Sequence, residues 1–226
     1  MFKQGFMMLC SSLKTLSNPL FFSMLLAVSS SFADPYIVEI IDQNGDPVTN
    51  AVVVNPVAAV NPGDVGNENS AAMMDQINKQ FVPFVLAIRK GRNVVFPNSD
   101  NIRHHVYSFS DTKRFEIKLY ANRPKAPINF GKKGLVVLGC NIHDSMIGYI
   151  FVSEWSDFAV SNENGFALLG EQAAAPKEML LWHPWSKDPQ QVTKIEIDQW
   201  STSGTHQVSL DINKPREKSR FIRYRR

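Results

Sequence analysis

From Tyr36 onward, Pro, Gly and Asn interrupt the chain about every ten residues, and the runs between them are short and rich in Val, Ile, Phe and Tyr. Such punctuation leaves little room for helices and predicts an all-β chain. Strands are expected at Tyr36–Ile41, Ala51–Val54, Phe84–Arg89, Asn93–Phe96, His105–Phe109, Phe115–Leu119, Leu135–Leu138 and Ile147–Val152. Asn44-Gly45-Asp46-Pro47 marks a turn between the first two, and residues 55–69 form a polar loop. The one helix-compatible stretch is Ser70 to Gln80, enough for one or two turns. Further strands are expected at Phe158–Ser161, Phe166–Leu169, Met179–Trp182, Val192–Ile197 and Gln207–Ile212, with a tight hairpin at Asn162–Gly165.

At 226 residues the chain has room for one large β-sandwich or two small domains. The expected division is a first domain over 34–152, then a second small β-sandwich or added strands over 153–213, then a basic tail over 214–226. With 44% hydrophobic and 20% charged residues and a mean hydropathy of -0.17, neither a disordered chain nor a polytopic membrane protein fits.

The net charge of +3 is unevenly spread. Lys3 and Lys14 precede any acid, and seven bases with one acid, Glu217, lie in 214–226. The body 34–213 therefore carries 15 basic and 20 acidic groups, a net -5, which excludes a nucleic-acid-binding domain. The tail reads as solvated, with an anionic membrane surface or an acidic partner as its alternative contacts.

Residues 1–33 read as an export signal. Two lysines precede an apolar run from Leu20 to Val28, and small residues then lead to Ser31-Phe32-Ala33, a cleavage site after Ala33. The run is too short to span a bilayer, and no later one approaches that length. A soluble mature protein in the periplasm is expected. Cys10 would be removed with the signal, leaving Cys140 as a lone thiol in an oxidising compartment.

The surroundings of Cys140 carry the chemistry. Cys140, His143 and Met146 follow one another at spacings of three, directly after the apolar run Leu135–Leu138. Upstream, His104 and His105 stand at the start of another expected strand. Thiolate, imidazole and thioether together suit copper cycling between two oxidation states. Zinc accepts Cys and two His but leaves Met146 without a purpose. A Cys-His nucleophile pair leaves Met146 and the second His unexplained, and chance proximity in one loop is the remaining alternative.

The pattern Phe81-x-Pro83, Gly91-x-x-Val94-x-Phe96-x-Asn98-x-Asp100, His104-x-Val106 and Cys140-x-x-His143-x-x-Met146 resembles the cupredoxins, the small blue copper proteins such as plastocyanin and amicyanin. The short Cys-to-Met loop is most similar to amicyanin. Chains with Arg103 to Phe109 and Gly139 to Asp144 as they stand here resemble those labelled methylamine utilisation proteins. The resemblance covers Phe81 to Val152 and implies a Greek-key β-sandwich with one type 1 copper. It implies His104, Cys140, His143 and Met146 as ligands, with His105 the alternative upstream ligand. Asn98 matches an asparagine that ties the upstream strand to the ligand loop, and His143 matches the histidine through which electrons leave. Asn141-Ile142 departs from the usual proline-containing pair between Cys and His.

What the resemblance implies is an electron carrier between redox proteins, not an enzyme. A copper carrier or storage protein with the same ligands is the second expectation, and a metal-free β-sandwich binding module the third. The C-terminal part loosely resembles carboxypeptidase-regulatory or transthyretin-like sandwiches, through Asn164-Gly165 and Leu181–Pro184. Asp42-x-x-Gly45-x-Pro47-Val48 has a similar flavour, so an alternative pairing joins the first strands to the C-terminal part. Trp182, His183 and Trp185 read as a capped core edge, with a carbohydrate or partner surface as the alternative.

Overall fold

The structure is a computed structural model that describes residues 36–56, 70–122, 126–170, 176–200 and 204–215. The export segment, its cleavage site, Cys10 and all of the basic tail after Pro215 lie outside the described residues. Seventeen strands and no helix occur among the described residues. Within the central stretch these are β3 (Ala72–Met73), β4 (Asp75–Ile77), β5 (Gln80–Val82), β6 (Val85–Arg89), β7 (Asn93–Val95), β8 (His104–Ser108), β9 (Phe115–Tyr120), β10 (Ile128–Asn129), β11 (Gly134–Gly139) and β12 (Ile147–Ser153). They are flanked by β1 (Tyr36–Ile41) and β2 (Val52–Val54) before, and by β13 (Phe158–Val160), β14 (Phe166–Leu169), β15 (Glu178–Trp182), β16 (Thr193–Glu196) and β17 (Thr205–Ser209) after.

The central strands form a β-sandwich. A five-stranded sheet ordered β6-β12-β11-β8-β9 packs against a three-stranded sheet ordered β10-β7-β3. Their facing side chains, among them Val94, Phe96, Val106, Phe130, Val136, Leu138 and Ile150, form one buried cluster. The flanking strands form two more sheets, β14-β1-β17 and β13-β2-β15-β16. Val38, Ile40, Val53, Leu169, Met179, Leu181 and Val208 fill the core between them.

The three valines of β2 show how the two sandwiches join. Val53 lies in the flanking core, whereas Val52 and Val54 pack with Val85, Phe151 and Trp182 in a third cluster. Side chains alternate along a strand, so a continuous apolar run is what burial on both faces requires. β12 behaves alike: Ile150 and Val152 face the central core and Phe151 faces the third cluster.

β1 and β2 pair with β13, β14, β15 and β17, which is the alternative pairing rather than the 34–152 grouping. Residues 70–80 are not helical. Met74 and Gln76 are buried between more exposed neighbours, a period of two, and Asn78 and Lys79 turn the chain between β4 and β5 with φ of 53° and 60°. The short strands β3, β4, β5 and β10 have no counterpart among the expected ones.

Trp182 and His183 are both 1% exposed and belong to the core edge, not to a surface. The Trp185 N–H donates to His183 Nδ1 at 3.1 Å, so Nε2 carries the proton donated to the Thr49 carbonyl at 3.1 Å. Burial pulls this imidazole down from 6.5 to about 4, against the opposing pull of the Thr49 bond. A folded-state value below the unfolded one gives stability that is complete above about pH 6.5 and lost as pH falls toward 4. The shift corresponds to about 3 kcal/mol. Urea unfolding across that window is expected to show this loss in the wild type and a shallower one in His183→Gln. Equal pH dependence in the two would contradict the assignment.

Candidate metal centre

The loop that carries Cys140, His143 and Met146, the candidate ligand loop, is the connection of a β-hairpin. β11 and β12 pair antiparallel, with Gly139 opposite Ile147, so residues Cys140 to Met146 bridge the end of the ladder. The Met146 N–H donates to the His143 carbonyl at 2.9 Å and folds the loop back on itself. β8 lies on the other side of β11, with Tyr107 opposite Gly139, and brings His104 beside the loop. A side chain at Gly139 would require the Tyr107 ring to move, because a Cβ would stand 2.6 Å from its Cζ.

His104, Cys140 and His143 converge, with one potential ligand atom from each lying within 4.8 Å of the others. Cys140 Sγ is 3.8 Å from His104 Nδ1 and 3.8 Å from His143 Nδ1. The two imidazole rings have centroids 5.0 Å apart. His104 and Cys140 are buried, at 0% and 3% exposure, and His143 is half-buried. Met146, 1% exposed, sits in the same buried cluster as Cys140, and the two also line one cavity of about 400 Å³.

The donor set fits a metal ion. Donors placed on a trigonal plane about 2.1 Å from a common centre stand about 3.6 Å apart. The two observed sulfur-to-nitrogen spacings of 3.8 Å are close to that, and all three donor atoms lie within 4.8 Å of one another. Both histidines turn the same atom, Nδ1, toward the sulfur.

The two adjacent histidines are separated by strand alternation. His104 shares its side of β8 with Val106, which is in the central core, whereas His105 turns the other way, with Nε2 2.9 Å from Glu116 Oε1. The register between β8 and β9 slips at this point: His104 is opposite Tyr120 but Val106 is opposite Ile117. The extra residue on β9 is a bulge, a device that re-aims side chains beside a site.

Behind His104 stands a carboxylate. Its Nε2 is 2.7 Å from Asp100 Oδ2. Asp100 in turn accepts the backbone N–H groups of Asn78 and Lys79 at 2.6 and 2.9 Å. Burial pushes the Asp100 carboxyl up, but those two N–H groups and His104 outweigh it and hold it below the usual carboxylate range. Tyr120, whose hydroxyl bonds Gln76 and the Phe96 carbonyl, is pushed up to about 12 by burial.

Asn98 bonds differently from the expectation. Its Nδ2 donates to the carbonyls of Ile102 and Tyr120 at 2.8 and 3.0 Å, and its Oδ1 accepts the Asp100 N–H at 3.1 Å. These bonds shape the turn that carries Asp100 and His104 and lead to β9, not to the ligand loop. The expectation assigned no role to Asp100, although its four-residue separation from His104 was visible.

No family model matches the chain, and no curated protein does. Among solved structures, it is similar to a novel purple cupredoxin from Nitrosopumilus maritimus, at 21% identity and a TM-score of 0.33, over 36% of this chain and 99% of that one. The reduced Cu(I) form of an amicyanin mutant is similar at 15% identity and a TM-score of 0.34, over 45% of this chain and 98% of that one. A Cu-containing nitrite reductase from Thermus scotoductus SA-01 is similar at 24% identity and a TM-score of 0.36, over 52% of this chain but only 28% of the reductase.

Proposed function

We propose that the chain is an exported type 1 copper protein that carries single electrons between redox partners in the periplasm. The observation that carries this reading is the convergence of the His104 and His143 Nδ1 atoms on Cys140 Sγ, each 3.8 Å from it, at the edge of an apolar core that includes Cys140 and Met146. Soft sulfur with two imidazoles suits copper and zinc alike, and the buried thioether of Met146, a poor zinc ligand, supports copper over zinc.

Copper bound there supplies one-electron chemistry between its two oxidation states. The chain's part is to hold the donors still. Cys140 provides the thiolate, His104 and His143 the two nitrogens, and Met146 the weak donor beside them. His104 is held from behind by Asp100, and Cys140 and Met146 by the sheet cluster, so the donors would have little freedom to rearrange around a bound copper. Half-buried His143 is on the loop, next to Ile142, which is 54% exposed. Its solvent-facing side is the proposed electron port, where a redox partner docks. Electron transfer of this kind transforms no substrate, so the proposed role is not that of an enzyme.

The cavity of about 400 Å³ that reaches Cys140 and Met146 favours a second reading, a copper carrier or store. Competition with a copper(I) chelator separates the two. An electron carrier keeps its metal for hours while exchanging electrons rapidly with a small redox mediator. Prompt surrender of the metal with slow electron exchange would favour the carrier or store.

A further inference from the structure

We propose that Asp100 is a positioning residue for this centre: clamped by the Asn78–Lys79 turn, its carboxylate holds His104 as the tautomer whose bare Nδ1 faces Cys140. The inference rests on the electron-carrier reading for its metal, but not for its geometry.

The chain of contacts is continuous. The turn between β4 and β5 presents two consecutive backbone N–H groups to the two oxygens of Asp100, Asn78 to Oδ1 and Lys79 to Oδ2. Neither turn residue is glycine, yet both have positive φ, a conformation that L residues adopt at an energetic cost. That conformation is what aims both N–H groups at one carboxylate. Oδ2 also meets His104 Nε2, on a side chain with no exposed surface.

An ionised carboxylate only accepts hydrogen bonds, so Nε2 has to carry the ring proton. A neutral imidazole then leaves Nδ1 as a lone pair, and Nδ1 is the atom 3.8 Å from the sulfur. Without Asp100, the proton is free to move to Nδ1, where it would have to be displaced before any metal could bind. Carboxylates on the far nitrogen of a metal-binding histidine also raise its basicity.

A neighbouring carboxylate provides the control. Asp75 makes the same kind of loop-to-hairpin contact, accepting the Ser99 hydroxyl at 2.7 Å and the Gln76 N–H at 2.7 Å, with no bond to His104. Asp75→Asn therefore reports what loosening this region does by itself.

The experiment has two arms on the full chain. Nitrogen-15 NMR of the metal-free protein reads the His104 tautomer, and copper(II) titration against a competing chelator reads affinity. The wild type and Asp75→Asn are expected to hold the proton on Nε2 and to bind copper equally. Asp100→Ala is expected to move proton population to Nδ1 and to weaken copper(II) binding about 10- to 100-fold. Asp100→Asn, which keeps a neutral acceptor, should restore the Nε2 proton and part of the affinity. An unchanged tautomer with affinity within about threefold of wild type in Asp100→Ala would overturn the positioning role alone. A wild type that takes up no copper would overturn the electron-carrier reading and the role with it, whatever the tautomer.

Discussion

Cys140→Ser is expected to fold like the wild type and to lose every trace of intense visible absorption when copper(II) is added. Serine is smaller by little and leaves its oxygen between the same two Nδ1 atoms, so a stability change of about 1 kcal/mol is expected. The metal site fares differently, because only the thiolate supplies a strong sulfur-to-copper transition and a soft, covalent bond. Copper affinity should fall by at least about 100-fold, beyond the range for residues that merely support a ligand. His104→Ala is expected to remove or displace the band, and His105→Ala to preserve it, since His105 faces Glu116 across the sheet. Retention in His104→Ala with loss in His105→Ala would move the upstream ligand by one residue.

The second large effect lies outside the candidate metal centre. Trp182→Ala should destabilise the chain by about 3–5 kcal/mol. Trp182 is 1% exposed and packs on Tyr149 and Phe151 of β12, with ring centroids 5.9 and 5.8 Å away. Its indole N–H donates to the Pro189 carbonyl at 2.9 Å, and truncation orphans that carbonyl as well. Because β12 leads directly out of the ligand loop, a cooperative chain should lose its copper signal and its tryptophan fluorescence signal at one denaturant concentration. Two separate transitions in the wild type would show that the sandwiches unfold independently.

The ligand loop was legible because it is local. Cys140, His143 and Met146 occupy one hairpin connection, and spacing alone puts them together once the strands on either side are recognised. His104 and His105 were both legible as imidazoles at the start of a strand, and the resemblance favoured His104; the alternation of β8 and the bulge opposite it put His104 beside Cys140 and His105 beside Glu116. The β4–β5 hairpin was hidden because its turn uses Asn78-Lys79, with no glycine to announce positive φ. Asp100 was hidden for a related reason. A four-residue separation suggests contact on a helix, and here the bent connection between β7 and β8 produces it instead. The joining of β1 and β2 to strands more than a hundred residues later depends on pairings across the whole chain. Local periodicity carries no record of such partners, although the three consecutive valines of β2 already required two buried faces.

Optical and electron paramagnetic resonance spectra of residues 34–226 with one equivalent of copper(II) test the copper reading most directly. An intense sulfur-to-copper band with narrow copper hyperfine splitting, at one ion per chain, is the predicted result. A colourless protein, or one whose copper gives only the broad splitting of nitrogen and oxygen ligands, would contradict it.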